Sequence, residues 1–496
     1  MNMAGWVRLF RSRLSASVWL PIFGAIVGVF PPTPLLSQTL YDSVKDGLAS
    51  SPSVEAQRLQ LSAQTERRIQ ALSLRRATIQ GEASSALGIS RRNQQGFAGP
   101  TPIRTFETAP SNVSISLEQP IYTGGRFEAA RSVAEIQIRQ GEARLRAAEL
   151  EVVQGIVTAW ADVRRDLEII VIRRETVEAL NELLYAARER FRLGEATITQ
   201  SAQAEARLSG ERASVAVAQA NLQASQSNFE RFTGTKIATL GDEGSLPELP
   251  ENLETALGNA SGISPELLIA RLEEDLAKAR AREIEVESNG RLTMRATVAA
   301  DRDQGFQGAR SSSAQVQARY SIPLWSGGVS PSRSREAGAQ AQAARMRALD
   351  VERQTHARVS ASWGRLEASR ISAQASQQQV AAAQLALRGA RAELLYGLGD
   401  QLNVLNQQGE LAGAQIALVQ SQRDALVSHY GVLFAIGSLD ATSFSARPPV
   451  SAFMQTSDPA AWEEPLIRVQ QRLDPKTRRV ERIRQRVVRA IFGPEE

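Results

Sequence analysis

The stretch Glu118–Gly125, EQPIYTGG, occurs a second time as SIPLWSGG at Ser321–Gly328, an offset of 203 residues. Both copies share a proline, an aromatic residue and a closing pair of glycines. The same offset continues without a gap over more than a hundred residues and aligns two further pairs: Trp160 with Trp363, and Gly194 with Gly397. An ungapped match of this length is typical of helices, because an insertion would rotate one apolar face away from its partner. The chain is therefore interpreted as two copies of one unit.

This internal two-fold repeat divides the chain into five segments. Residues 1–37 are predicted to be a signal peptide, 40–240 the first repeat and 241–252 a linker rich in proline and glycine. Residues 253–440 form the second repeat, and 441–496 form a C-terminal extension. Each repeat is predicted to contain a helix, a β-hairpin and a long helical hairpin, in that order.

The β-hairpins are predicted at about 77–122 and about 291–325. Residues 113–117 read VSISL, and this strict alternation of apolar and polar residues has the period of a strand. Polar loops are expected to join the strands of each hairpin, at Ser90–Pro110 in the first copy and Asp301–Ser313 in the second. The sequence therefore predicts four strands per chain.

The helical hairpins are predicted at 123–234 and 326–437. No proline interrupts Thr123–Leu193, so its helix would reach about 105 Å at ~1.5 Å per residue. The return helix is shorter, but it nearly matches the outgoing helix when stacked end to end with the first helix of the repeat, Val54–Arg76 or Pro265–Val286. The two repeats then form a bundle with strands at only one end.

Strands at the end of a long bundle indicate a membrane pore. Apart from the N-terminal segment, no run approaches the length of a spanning helix, so any later crossing must consist of strands. Four strands cannot close a barrel, and an open sheet edge leaves backbone groups unsatisfied in lipid. Three chains would supply twelve strands, which is enough to close a barrel that is wide enough to conduct. The expected fold class is thus an α+β membrane protein, a long α-helical coiled-coil tunnel plus strands that contribute to a trimeric barrel. A periplasmic coiled-coil adaptor or structural protein without a pore is the alternative.

The composition excludes several functional classes. The chain has no cysteine, and its two histidines, His356 and His429, lie far apart in sequence. Without a converging set of catalytic groups or a phosphate-binding glycine loop, we expect no enzyme activity, no cofactor and no metal. The basic excess lies at the two ends of the chain and the body is mildly acidic, so we expect no nucleic-acid partner.

The two ends have their own signals. Arg8, Arg11 and Arg13 precede an apolar run, Leu14–Phe30, which is the layout of a secretory signal peptide, with a membrane anchor as the alternative. Beyond Pro475, arginines alternate with aliphatic residues and predict a short basic amphipathic helix. That helix could contact anionic lipid or an acidic partner, or it could simply be solvated.

The repeated stretch and the two glycine turns resemble the TolC-like outer-membrane efflux and secretion channel family. The resemblance covers about 40–439, and it identifies six residues as the junctions between barrel strand and tunnel helix: Pro120, Gly124, Gly125, Pro323, Gly327 and Gly328. It implies a homotrimer in the lipid of the outer membrane, with a tunnel in the periplasm. It also implies a periplasmic adaptor (membrane fusion) protein and an inner-membrane transporter of ABC or RND type as partners. Type I protein secretion and multidrug efflux both remain open, because the transporter chooses the cargo.

The same resemblance places a gate at the two turns between long helices. Five residues are expected to form adaptor-docking tips: Leu193, Gly194, Tyr396, Gly397 and Leu398. Five others are expected at the periplasmic constriction: Leu394, Gly399, Asp400, Asn403 and Asn406. Family members place a Tyr, an Arg and two Asp at the positions of Leu394, Gly399, Asn403 and Asn406, and this chain retains none of them. We therefore expect a neutral polar ring, with Asp400 as its nearest acid.

Overall fold

The computed structural model describes residues 39–439, except 93–94, 97–98, 101–103, 238–239, 242–245 and 304–307, and it describes no side chains over 90–108. The predicted signal peptide and the predicted C-terminal helix lie outside the described residues. The first half contains α1 (Leu40–Ser50), α2 (Pro52–Ser73), β1 (Thr78–Ser85), β2 (Gly88–Arg92), β3 (Gln95–Gly96), β4 (Gly99–Pro100), β5 (Arg104–Thr108), β6 (Ser111–Tyr122), α3 (Arg126–Arg192) and α4 (Ile198–Thr233). The second half contains α5 (Leu253–Ile263), α6 (Pro265–Val286), β7 (Arg291–Arg302), β8 (Arg310–Ser321), α7 (Val329–Leu395) and α8 (Gln401–Ile436).

The two outgoing helices set the length of the molecule. α3 and α7 each have 67 residues, which corresponds to about 100 Å at ~1.5 Å per residue. α3 packs against both α2 and α4, and α7 packs against both α6 and α8. Each long helix is therefore accompanied along its length by two shorter ones.

The shorter helices meet end to end, as the lengths in the sequence predict. Ser50 Oγ, at the end of α1, donates a hydrogen bond to the carbonyl oxygen of Thr233, the last residue of α4, over 2.8 Å. In the second half, Gly437 lies so close to Pro265 that a Cβ at 437 would approach Pro265 Cδ to 2.7 Å. The end of each return helix is thereby fixed beside the start of α2 or α6.

The largest apolar core lies near the middle of α3. Trp160, Ile156 and Val153 are fully buried there, together with Phe229 of α4 and Leu433 of α8. Helix α1 contributes Leu40, Val44 and Leu48 to the same cluster. This core joins the two halves of the chain, because α8 belongs to the second half.

The helices next to the main sheet lie side by side in the same order as the strands that they continue. The main sheet has four antiparallel strands in the order β1-β6-β7-β8. Among the helices next to the sheet, α2 packs on α3, α3 on α6 and α6 on α7. The strands and these helices therefore continue one another as a single layer, with β1 and α2 at one edge and β8 and α7 at the other.

The two faces of the main sheet differ in polarity. Val113, Ile115 and Leu117 lie on one face of β6 and are 57%, 53% and 40% exposed. On the other face, Glu118 forms an ion pair with Arg295 of the paired strand β7. The exposed side of this sheet is thus apolar, the reverse of the usual arrangement in a soluble protein.

The structure corrects two details of the sequence prediction. The loop predicted at Ser90–Pro110 contains backbone pairs, since β2 pairs with β5 and β3 with β4. Each repeat has one helix more than predicted, because α1 precedes α2 and α5 precedes α6, and the proline after Ser51 or Ser264 starts the helix that was predicted. β6 shifts its register after Pro120 and ends at Tyr122, the predicted end of the first hairpin.

Among the residues that the structure describes, no helix combines the length and apolar character needed to cross a membrane.

Candidate functional site

The two turns between long helices are built alike. At the end of α3, Gly194 has φ of 78°, its N–H bonds to the carbonyl of Phe191 over 3.0 Å, and the N–H of Glu195 bonds to Arg190 over 2.8 Å. At the end of α7, Gly397 has φ of 72°, and the N–H of Leu398 bonds back to Glu393 over 2.8 Å. These bonds satisfy carbonyls at the helix end, and the left-handed residue favours glycine.

The return helices begin differently at the two turns. α4 has a capping box in which Thr197 Oγ1 accepts the N–H of Gln200 over 3.4 Å, and Gln200 Oε1 accepts the N–H of Thr197 over 3.3 Å. α8 has Asp400 at the same place, but this carboxylate makes no bond to its own helix. It is therefore available to another partner.

That partner lies on the other turn. Gln200 Nε2 donates to Asp400 Oδ1 over 3.0 Å. One to two helical turns further, Arg207 Nη2 of α4 donates to Asn406 Oδ1 of α8 over 3.3 Å. We call these two contacts the tip links, since they join the two helical hairpins of one chain at their free ends.

Apolar contacts hold α8 beneath the tip links. Leu405 is buried with Leu180 and Leu184 of α3 and Leu208 of α4, while Val404 is buried against Leu387 of α7. Gln401 is also buried, and its Nε2 donates to the carbonyl of Leu183 over 3.0 Å. The second hairpin is thus seated on the first by both packing and hydrogen bonds.

The five predicted constriction residues lie in the last turn of α7, in the connecting turn and in the first two turns of α8. Asp400, Asn403 and Asn406 are exposed, while Leu394 and Gly399 are half-buried. Leu394 packs against the cluster of Val404, and Gly399 donates its N–H to the carbonyl of Glu393 over 3.0 Å. Asp400 and Asn406 participate in the tip links, and Asn403 accepts a long hydrogen bond of 3.5 Å from Gln407. Their position relative to a pore axis remains a prediction.

The predicted docking residues form two exposed apolar tips. Leu193 is 66% exposed, Tyr396 is 76% exposed and Leu398 is 84% exposed, beyond the ends of the packed helices. A Cβ placed on Gly194 or Gly397 would meet no atom within 4 Å. Nothing in the chain covers these tips among the described residues.

At the opposite end, paired glycines turn the strands into the long helices. Gly124 and Gly125 have φ of 66° and 92°, and Gly327 and Gly328 have φ of 64° and 86°. A Cβ on Gly124 would lie 2.5 Å from the carbonyl oxygen of Gly290, so only glycine fits there. The position of Pro323 differs from that of Pro120, since it follows the end of β8.

Three residues that shape the tips were not predicted from the sequence: Gln200, Arg207 and Gln401. The capping box of Thr197 and Gln200 has a recognisable spacing, but nothing in the sequence indicates that Gln200 also reaches Asp400. Over the described residues, no group of three or more acids or histidines is arranged to hold a metal ion.

Comparisons with known proteins agree with this geometry. The sequence profile of the family described as outer membrane efflux protein matches residues 44–235 and 256–438. The outer membrane efflux protein BepC of Brucella suis biovar 1 (strain 1330) is 30% identical over 345 residues, 69% of this chain and 75% of BepC. The alkaline protease secretion protein AprF of Pseudomonas aeruginosa is 22% identical over 335 residues, 66% of this chain and 69% of AprF.

A solved structure shows the same fold. The crystal structure of the outer membrane protein VceC from Vibrio cholerae matches with a TM-score of 0.68 at 19% identity, over 80% of this chain and 96% of that chain. The predicted fold class, long helical hairpins with strands at one end, is therefore confirmed. The family match decides against the alternative of an adaptor without a pore, because the family consists of outer membrane efflux proteins. It is also not a family of enzymes. The chain belongs to the outer membrane efflux protein family and is an outer-membrane channel subunit of an export system.

Proposed function

We propose that three copies of the chain close into one twelve-stranded barrel and one helical tunnel. The observation that supports this is the main sheet, whose apolar face is exposed and whose edge strands β1 and β8 have no further partner among the described residues. Unpaired backbone groups at such edges cannot be satisfied by lipid, so β8 of one copy must pair with β1 of the next. Three four-stranded sheets give an even-numbered barrel within the range of outer-membrane proteins.

The helical layer supports the same assembly. Because α2 and α7 lie below β1 and β8 as the edges of one layer, pairing of the strands also brings α7 of one copy beside α2 of the next. Large apolar side chains of α7 are exposed in the single chain, including Met346, Leu349 and Leu385 at 56%, 43% and 64%. A neighbouring copy would cover part of this surface.

The tips would then act as the gate. Three pairs of hairpins converge at the periplasmic end, and the tip links hold the second hairpin of each copy against the first. Opening is a small rigid movement of α7 and α8 away from α4, since packed helices switch between discrete arrangements and do not stretch. Cargo passes through without chemical change.

The exposed tips are suited to a helical partner. Leu193, Tyr396 and Leu398 offer apolar side chains at the far end of the tunnel, where the hairpin of a periplasmic adaptor could pack against them. The adaptor would connect the channel to an inner-membrane transporter of ABC or RND type. Among the relatives, BepC is named for efflux and AprF for protease secretion, so both kinds of cargo remain candidates.

Purification and electrical recording test this function. The membrane-extracted protein should migrate as a trimer on gels without boiling, dissociate on heating, and conduct ions in planar bilayers. Because the chain has no cysteine, a cysteine placed on β1 and another on β8 should give disulfide-linked ladders up to three chains and no longer. A water-soluble monomer that produces no current would contradict the proposal.

A further inference from the structure

A groove with a volume of about 660 Å³ lies between α2, α3, α6 and α7, the four helices that continue the main sheet. Each helix contributes one arginine to its lining: Arg67, Arg144, Arg280 and Arg347. Four glutamines line the same groove, and the lining includes a single acid, Glu273. We call the four arginines the arginine belt.

The lining indicates which side of the helical layer the groove occupies. The four helices lie side by side in the order α2-α3-α6-α7, and a cavity can contact four adjacent helices only on the concave side of a curved layer. In the trimer proposed above, that side becomes the tunnel lumen. The inference therefore rests on the proposed tunnel, and it concerns what the tunnel conducts.

The charges of the belt are mostly uncompensated. Glu273 accepts from Gln140 Nε2 over 3.1 Å and lies 3.5 Å from Arg144 Nη2, so its one negative charge is already shared. Within the described part of the chain, Arg67, Arg280 and Arg347 form no hydrogen bond or ion pair, and all three are exposed. The groove therefore has a net positive charge that faces solvent.

The belt follows the internal repeat. Arg144 and Arg347 are related by the offset of 203 residues that relates the two glycine turns, and Gln137 and Gln340 by the same offset. Arg67 and Arg280 are related by an offset of 213, the one that relates the prolines at the starts of α2 and α6. Each repeat thus contributes the same two arginines, and three copies of the chain would distribute twelve of them around the lumen.

We propose that the arginine belt makes the tunnel favour anionic solutes as cargo. A ring of fixed positive charge raises the local concentration of anions and opposes the passage of cations. Its reach is about one Debye length, ~30 Å at 0.01 M salt and ~3 Å at 1 M. At low salt the field thus reaches about 30 Å from the wall, so the belt also acts on ions that do not touch it.

The reversal potential in a gradient of potassium chloride across a planar bilayer tests the proposal. The test variant replaces the three unpaired arginines, Arg67, Arg280 and Arg347, with glutamine. The ratio of chloride to potassium permeability should fall by about two- to three-fold near 0.01 M salt, and the difference should vanish near 1 M. The variant Glu273→Gln removes the only acid of the groove, so it should shift the ratio in the opposite direction.

A control removes the same number of charges from the opposite face of the wall. The control replaces Arg131, Arg282 and Arg353. Each lies nine residues, or about two and a half turns at 3.6 residues per turn, from a groove residue of the same helix, and therefore on the opposite side of that helix. Their triple replacement by glutamine should leave the permeability ratio at the wild-type value. If the groove variant and the control give the same ratio as wild type, the inference is overturned. If no variant and no wild-type protein conducts, the proposed tunnel itself fails.

Discussion

The tip link between Gln200 and Asp400 allows the gate to be tested, because the donor and the acceptor of this hydrogen bond can be exchanged by mutation. In Gln200→Glu, the new carboxylate still caps α4, because glutamate serves at this position of a capping box. It can no longer donate to Asp400 Oδ1, which lies 3.0 Å from Gln200 Nε2 in the wild type. Loss of the bond costs about 1 kcal/mol and repulsion between two solvated carboxylates adds about 1 kcal/mol.

A change of about 2 kcal/mol per copy shifts the balance between linked and separated hairpins by about 30-fold. We expect the single-channel conductance or the open fraction of Gln200→Glu in planar bilayers to rise clearly above the wild-type value. The double variant with Gln200→Glu and Asp400→Asn again places a donor opposite an acceptor, with their roles reversed, so it should return to the closed behaviour. An unchanged conductance in the single variant, or equal opening in both variants, would refute the role of this link.

Three further predictions concern the turns, the selectivity and the pH dependence of stability. Gly397→Ala should destabilise the protein by about 1 kcal/mol because φ is 72°, whereas Gly389→Ala, inside α7 with no atom within 4 Å, should stabilise it slightly; thermal unfolding measures both. Asp400→Asn retains an oxygen for the tip link but removes a charge, so cation permeability should fall, and identical selectivity would exclude Asp400 from the selectivity of the gate. Burial lowers the pKa of His429 and nearby Arg370 lowers it further, while the hydrogen bond between Nε2 and the carbonyl of Pro247, over 2.8 Å, opposes part of this shift. The folded protein thus binds this proton less readily than the unfolded chain, so stability should fall as the pH drops below about 6.5, and His429→Gln should remove that dependence of the melting temperature.

The fold was predictable wherever a pattern repeated. The alternation at 113–117 predicted β6, and the proline-free stretch Thr123–Leu193 predicted α3 over its whole length. The strands β2 to β5 were missed because their stretch is polar and rich in glycine, and backbone pairing does not require apolar periodicity. Helix α1 was also missed, although Leu40, Val44 and Leu48 recur at intervals of four residues and are all buried.

The tips were predictable in position but not in connection. Gly194 and Gly397 mark both turns in the sequence, and both have positive φ in the structure. The contact of Gln200 with Asp400 joins residues 200 positions apart, and it depends on how α4 and α8 settle against α3. The sequence around either residue does not predict this contact, because both side chains are polar and could equally have been solvated.

The edges of the layer come from different halves of the chain, β1 and α2 from the first and β8 and α7 from the second. A contact between such edges is heterologous, so it forms a ring only when the rotation per subunit closes on itself. A polypeptide with one half alone would have to assemble as six molecules to enclose the same space. Fusion of the two halves reduces the number of molecules to three. It also allows the two halves to differ in sequence while the ring still closes.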